Sequence, residues 1–294
     1  MTITAKVIAD SIHMHGGPRL TTLQLRYPRF IHAEFMTHRV FSRNASSSRA
    51  IPVARLIADI EADPAMPIHW GKNQPGMQAH EEHNGPVAAP WCNGQMTREG
   101  AWLNAMDGAI KMAKLFDEAG YHKQIVNRLL EPYSHINVVV SSTKWENFFA
   151  LRAHPDAQPE IRALAEAMLE AMRASEPVGL HHGEWHLPYV TDEEQDELAI
   201  EHHPRVATEL AKKVSAARCA RVSYLTFEGK SPVIEADLKL FDKLAGGVPL
   251  HASPLEHQAT PRLPHSGWAY PCGNFHGWAQ FRKEFDNEDA EFDI

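Results

Sequence analysis

The 294-residue chain has only three cysteines, Cys92, Cys219 and Cys272, odd in number and far apart. So sparse a set excludes a disulfide scaffold and suits a reducing, cytoplasmic setting. No apolar run approaches the roughly 20 residues of a membrane span, so no membrane partner is expected. Positive charge is also in short supply: 29 Lys and Arg stand against 37 Asp and Glu, a formal net charge of -8. A protein that coats nucleic acid needs a broad basic surface, so no direct nucleic-acid partner is expected. The deficit leaves room for a small phosphorylated ligand, because a few local arginines hold one phosphate. Residues 1–9 alternate like a strand and lack the apolar centre of a signal peptide. What the chain does have is an ordinary apolar content, 44%, which predicts a packed core.

Residues 2–9 and 19–27 are rich in β-branched and aliphatic side chains. His15-Gly16-Gly17-Pro18 lies between them, which predicts a β-hairpin. Residues 29–37, after Pro28, read as a short helix. Residues 42–49 are polar and serine-rich and read as a loop outside the core. From Pro64 to about Gly94 there is little periodicity, which predicts a long loop of a kind often functional. Helical spacing marks residues 98–119, 121–130, 142–151 and 159–174, with a buried strand over 136–140. Further helices are predicted over 192–201, 204–221 and 232–245, the last with Ser231 as N-cap and Gly246-Gly247 as its stop. The acidic tail from Asp286 reads as solvated. No repeat or linker divides the chain, so one mixed α/β (α+β) domain over 1–294 is predicted, a central sheet flanked by helices.

The segment His38-Arg39-Val40-Phe41-Ser42-Arg43-Asn44-Ala45-Ser46-Ser47-Ser48-Arg49 packs three arginines and four serines into twelve residues. Serine hydroxyls and free backbone N–H groups donate to phosphate oxygens, and arginine adds a bidentate fork. Composition alone fits a phosphate-binding loop or an ordinary polar loop.

The same segment resembles the signature RHRxxSxNxxSxR of flavin-dependent thymidylate synthases. His38, Arg39, Ser42, Asn44, Ser47 and Arg49 fall on signature positions, and Thr37 replaces the first arginine. Val126-Asn127-Arg128-Leu129-Leu130-Glu131-Pro132 resembles a family stretch, AR-x-x-L-P, that ends a helix. Asn147-Phe148-Phe149-Ala150-Leu151-Arg152, followed by Ala157-Gln158-Pro159-Glu160-Ile161, resembles another. Two motifs usual at the family's amino-terminal end lie here near the other end. These are Cys219-Ala220-Arg221-Val222-Ser223-Tyr224 and Ser253-Pro254-Leu255-Glu256-His257. Gly273-Asn274-Phe275-His276-Gly277-Trp278 resembles a further family segment. The resemblance therefore implies a circularly permuted member, with 1–185 as the usual C-terminal part and 211–285 as the usual N-terminal part. Residues 58–97 and 186–210 are not covered by it.

The resemblance implies FAD, methylene-tetrahydrofolate and NADPH as cofactors, and transfer of a one-carbon unit to C5 of a pyrimidine deoxynucleoside monophosphate. It also implies a homotetramer with composite sites. Carried over by position, His38, Arg39, Asn44, Asn147 and His257 would contact FAD. Ser47, Ser48, Arg49 and Arg128 would hold the nucleotide, and Arg152 would lie over base and flavin. Arg152 and Ser47 are the catalytic candidates. Glu34 stands where the family has glutamine, Ala45 where it has glutamate, and Ile125 where it has glutamate. These changes gather at the nucleotide site and imply an alternative base. Cytosine offers an amino donor where uracil offers a carbonyl acceptor, so Glu34 is a substrate-binding candidate for deoxycytidylate, with methyl or hydroxymethyl product.

Other readings compete. Pro271-Cys272 resembles the Pro-Cys pair of enzymes that attack pyrimidine C6 with a thiolate, but a loop cysteine beside a turn is the favoured reading. His80-Glu81-Glu82-His83 and His181-His182-Gly183-Glu184-Trp185-His186 hold ligand types without a known zinc spacing, so no metal is expected. A non-catalytic nucleotide-binding homologue would also keep the fold. Trp145, Phe148 and Phe149 read as core rather than as a flavin stack.

Overall fold

Strict alternation in Thr22-Leu23-Gln24-Leu25-Arg26-Tyr27 gives a strand with one apolar and one polar face. It belongs to β2 (Leu20–Pro28), which pairs antiparallel with β1 (Thr4–His13). The computed structural model describes residues 1–89, 94–222, 233–247, 249–263 and 272–289. The hairpin turn contains Gly16 at φ 81°, a left-handed backbone that glycine adopts without penalty. The register shifts between Val7 and Ala9, a bulge in β1.

A short helix, α1 (His32–Phe35), leads to the edge strand β3 (Ser42–Ala45). Then come α2 (Val53–Ala62), the small hairpin β4 (Val87–Ala89) and β5 (Gly94–Met96), and α3 (Arg98–Glu118). After α4 (Lys123–Val126) follow β6 (His135–Ser142), α5 (Glu146–Arg152), α6 (Pro159–Arg173) and β7 (Val178–Leu180). Helices α7 (Asp192–Glu201), α8 (Pro204–Arg221) and α9 (Ile234–Ala245) precede a last hairpin, β8 (Ala259–Pro261) with β9 (Trp278–Gln280). The central sheet has the order β3-β6-β2-β1-β7, antiparallel except for the β1–β7 pair. The predicted mixed architecture, a central sheet flanked by helices, is the one observed.

The two sheet faces bury different chemistry. Leu23, Leu25, Val138 and Val140 pack with Phe148 of α5 and with Ile161, Leu164 and Met168 of α6. Trp145 and Phe148 belong to this core and Phe149 is half-buried against it, as their spacing predicted. The opposite face carries Ser11, Thr22, Asn44 and Ser141, and the chain beyond residue 185 covers it. Val139 on that face meets Tyr189, Cys219 and Val222. A second core joins α2, α3 and α4 through Leu56, Ile60, Met106, Ile110 and Val126.

Several expectations change. Residues 42–45 form a strand, because pairing with the valine-rich β6 outweighs the weak strand propensity of Ser-Arg-Asn-Ala. Ser42 and Ser48 are buried. Residues 53–62 are a helix that the sequence reading did not anticipate. The helix read over 121–130 is α4 followed by a 3-10 segment, Asn127–Tyr133, which contains Pro132. The helix read from Ser142 starts at Glu146, since Ser142 closes β6. Ser223, Tyr224, Ser231, Pro271 and the end of the acidic tail lie outside the described residues. Among the described residues no helix is long and apolar enough to cross a membrane.

Candidate functional site

The signature segment leaves α1, turns at His38 and becomes the edge strand β3. Arg43 shapes that turn: its Nη1 donates to the carbonyls of Met36 and His38, both at 3.0 Å. His38 is buried, edge-on to Phe148 with ring centroids 4.9 Å apart. Arg152, at the end of α5, donates through Nε to His38 Nε2 at 3.0 Å and through Nη1 to the carboxylate of Glu34. An imidazole nitrogen that accepts from a guanidinium is unprotonated, so His38 is neutral with its proton on Nδ1. Burial first, then Arg152 and Arg43, lower its pKa and agree with that state.

Glu34 and Arg152 open onto a cleft of about 1370 Å³. Its opposite wall is the segment not covered by the family resemblance, through Ile68, His69, Met77 and His80. That wall is tied down. The buried Glu160 carboxylate accepts from the backbone N–H of Ile68 at 2.7 Å. Trp102 Nε1 donates to the Ala65 carbonyl at 3.0 Å, and Gln78 Nε2 to the Asp156 carbonyl at 3.1 Å.

A second cluster surrounds Glu131. Ser48 Oγ donates to Glu131 Oε1 at 2.9 Å, Arg128 Nη1 lies at 3.1 Å, and Arg29 Nε at 3.3 Å. Asn127 fixes the same turn by donating to the carbonyls of Ser48 and Ile51, at 2.7 and 2.9 Å. Ser47 and Arg49 flank Ser48 and are exposed, and Ser47 Oγ accepts from the Arg49 N–H at 3.3 Å. Arg49 has no ion-pair partner among the described residues, and Arg128 is exposed beyond its contact with Glu131. This turn therefore gathers three cations, Arg29, Arg49 and Arg128, two hydroxyls, of which Ser47 is exposed and Ser48 buried, and one carboxylate, a set that can exchange its internal pairs for a phosphate.

A third group is buried on the polar sheet face. His257 Nδ1 meets Ser141 Oγ at 2.8 Å, while its Nε2, fully buried, has no partner among the described residues. Asn44 Nδ2 donates to the Cys219 carbonyl at 3.3 Å, so the signature strand and the end of α8 are in contact. Arg39 and Asn147 are exposed.

The structure thus gathers Glu34, His38 and Arg152 in one place and Ser47, Ser48, Arg49 and Arg128 in another. Glu131, the carboxylate joining the second group, was missed as a site residue, although it stands three residues after Arg128, within helical reach. Cys272 is half-buried, with its N–H donating to the Phe275 carbonyl at 3.2 Å. Among the described residues no group of three His, Cys, Asp or Glu side chains is disposed to hold a metal ion. His186, the last histidine of its cluster, is buried between Ser11 and Thr22.

The exposed arginines of this turn and the paired Arg152 at the cleft are thus two separate cationic settings. The chain belongs to the family described as thymidylate synthase complementing protein, whose model matches residues 20–178, just over half of its length. This is the flavin-dependent thymidylate synthase family that the signature segment resembles. Among solved structures it is similar to a UMP/dUMP methylase PolB from Streptomyces cacaoi bound with 5-Br dUMP. That match has 16% identity and a TM-score of 0.42, over 58% of this chain and 90% of that one. The same enzyme bound with 5-Br UMP matches with 19% identity and a TM-score of 0.43, over 58% and 88%. No curated protein matches the chain.

Proposed function

We propose that the protein transfers a one-carbon unit to C5 of a pyrimidine deoxynucleoside monophosphate, with deoxyuridylate as substrate, using FAD, methylene-tetrahydrofolate and NADPH. The observation that carries this reading is the pairing of two arginine settings. Arg152 is held rigidly by Glu34 and neutral His38 at a cleft, whereas Arg49 and Arg128 remain exposed beside Ser47 and Ser48.

In this reading Arg49, Arg128, Ser47 and Ser48 bind the nucleotide phosphate. Arg152 faces the base, where a fixed cation stabilises negative charge developing on a ring carbonyl. Its tether to His38 and Glu34 keeps the guanidinium oriented before the substrate arrives, so little reorganisation accompanies the reaction. Bound flavin would supply the hydride that brings the transferred carbon to the methyl level. His38, Arg39, Asn44, Asn147 and His257 are the residues that would hold it. The fit rests on His257 Nε2, a buried nitrogen without a partner among the described residues, and on the exposed Arg39 and Asn147. That so many site side chains stand exposed in one protomer favours composite sites in a homotetramer. The permuted order is favoured by two contacts, Asn44 with Cys219 and Ser141 with His257, which join the signature region to the motifs near the other end.

One observation favours a second substrate. Glu34, in place of the family's glutamine, puts a carboxylate at the cleft, and a carboxylate accepts from the amino group of cytosine. Deoxycytidylate, with a methyl or hydroxymethyl product, is therefore the alternative.

Calorimetric titration tests the phosphate assignment. Arg49→Ala weakens deoxyuridylate binding about 10-fold or more, in line with a lost charge-assisted contact, and leaves deoxyuridine binding unchanged. An equal loss for both, or no loss for either, contradicts the assignment.

A further inference from the structure

Five polar groups form one unbroken line across the buried polar face of the sheet. Ser11 Oγ meets His186 Nδ1 at 2.8 Å, and His186 Nε2 meets Thr22 Oγ1 at 2.7 Å. Thr22 Oγ1 meets Ser141 Oγ at 2.6 Å, and Ser141 Oγ meets His257 Nδ1 at 2.8 Å. All five residues are buried, His186 and His257 almost completely. Ser11, Thr22 and Ser141 come from three adjacent strands, and each histidine comes from the chain beyond residue 185. The line ends at His257 Nε2, which has no partner among the described residues.

We infer that this line is a directional hydrogen-bond relay that fixes the tautomer of His257, with His186 acting as a positioning residue for the ligand that meets His257 Nε2. That the ligand is the flavin rests on the reading above; the relay itself does not.

Two neutral imidazoles and three hydroxyls carry five mobile protons for four hydrogen bonds. Burial holds both rings neutral, with each pKa pushed down to about 3. If Ser11 donates to His186 Nδ1, then His186 donates from Nε2 to Thr22, Thr22 to Ser141, and Ser141 to His257 Nδ1. His257 then carries its proton on Nε2 and offers a donor. In the reverse direction every bond flips, both rings carry the proton on Nδ1, and His257 Nε2 becomes an acceptor. A change of direction in mid-line would either strand the hydroxyl proton of Thr22 or Ser141, for which no other acceptor exists among the described residues, or leave the two oxygens facing each other at 2.6 Å with no proton between them. The two tautomers are therefore locked together although the rings share no hydrogen bond. A ligand that selects one polarity at His257 selects it at His186 as well, as an outer partner does for a metal-bound histidine.

Solid-state 15N NMR of the ligand-free full chain labelled in histidine reads both rings, with His186→Gln and His257→Gln variants assigning the signals. The wild type shows one tautomer, the same for both. Thr22→Val removes the central hydroxyl without touching His257, and the His257 signal splits or changes tautomer. Opposite tautomers in the wild type, or an unaltered His257 signal in Thr22→Val, overturn the relay. Ser11→Ala, at the far end, guards against a folding defect in the first variant: the two rings respond together or not at all, and a change in one alone overturns the proposal. Added FAD shifts both signals in the wild type and only His257 in Thr22→Val. A shift confined to His257 in the wild type overturns the relay. An intact relay with no shift at either ring overturns the flavin assignment and leaves the relay standing.

Discussion

On one face of the central sheet, Leu23, Leu25, Val138 and Val140 meet the apolar side of α6; on the other, Thr22, Asn44 and Ser141 meet His186, Cys219 and His257. Both faces are buried, yet they obey different rules. The apolar face is held by area and shape, so neighbours of similar volume are interchangeable at modest cost. The polar face is held by one-to-one partnerships, in which a lost partner leaves a buried group unpaired. A slip in register on that face would strand each of these hydrogen bonds at once. The difference assigns stability mainly to α6 and its face. The polar face governs how the chain beyond residue 185 docks against the signature strand.

Substitutions on each face test this contrast. The largest effect belongs to the apolar face: Leu164→Ala costs about 2–5 kcal/mol in denaturant unfolding. Flavin absorbance of the folded fraction stays unchanged. A change in that absorbance would mean that the apolar face also shapes the site. Ser141→Ala comes next, at about 1–3 kcal/mol, because it leaves His257 Nδ1 buried without a partner. A cost near zero there would show that the polar face is not held by paired groups.

Acid separates the faces in another way. Burial lowers the pKa of His186 and His257 from 6.5 to about 3. A folded-state pKa below the unfolded one contributes stability that is complete above about pH 6.5 and is lost as pH falls towards 3. His32 and His135, lowered to about 4 mainly by burial, titrate in the same window. Stability measured between pH 7 and 4 should therefore fall steeply. The fall is shallower in His186→Gln and unaltered in Leu164→Ala, and an unaltered slope in His186→Gln would contradict the assignment. The smallest effect on stability belongs to the exposed arginines. Arg39→Ala and Arg49→Ala should unfold within about 0.5 kcal/mol of the wild type, while losing ligand affinity. A large loss of stability in either would make it a structural residue.

Much of this was legible in the sequence, and the exceptions have physical reasons. The alternation of β2, the helical spacing of residues 159–174 and the acidic and then basic helix-forming runs of 192–201 and 204–221 carry their structure locally. The segment 42–45 does not, since its strand exists only through pairing with β6. Helix α2 did carry a signal, in Val53, Leu56, Ile57 and Ile60, that the proline before it and the loop after it obscured. A polar face read from alternation alone points to water; nothing local says that later segments cover it. The relay was invisible for the same reason, because Ser11 and His186 are 175 residues apart and Ser141 and His257 are 116 apart. The site residues came from resemblance, which named Arg49, Arg128 and Arg152 but not the carboxylate of Glu131 among them.

Mass spectrometry of reactions containing FAD, NADPH and methylene-tetrahydrofolate, with deoxyuridylate or deoxycytidylate, reads the proposed reaction itself. A methyl adduct on deoxyuridylate is expected, and it disappears in Arg152→Ala. An adduct on deoxycytidylate alone would transfer the same chemistry to the base that Glu34 favours. No adduct on either nucleotide, from protein that binds both flavin and nucleotide, would contradict the claim that this chain is a C5-modifying enzyme.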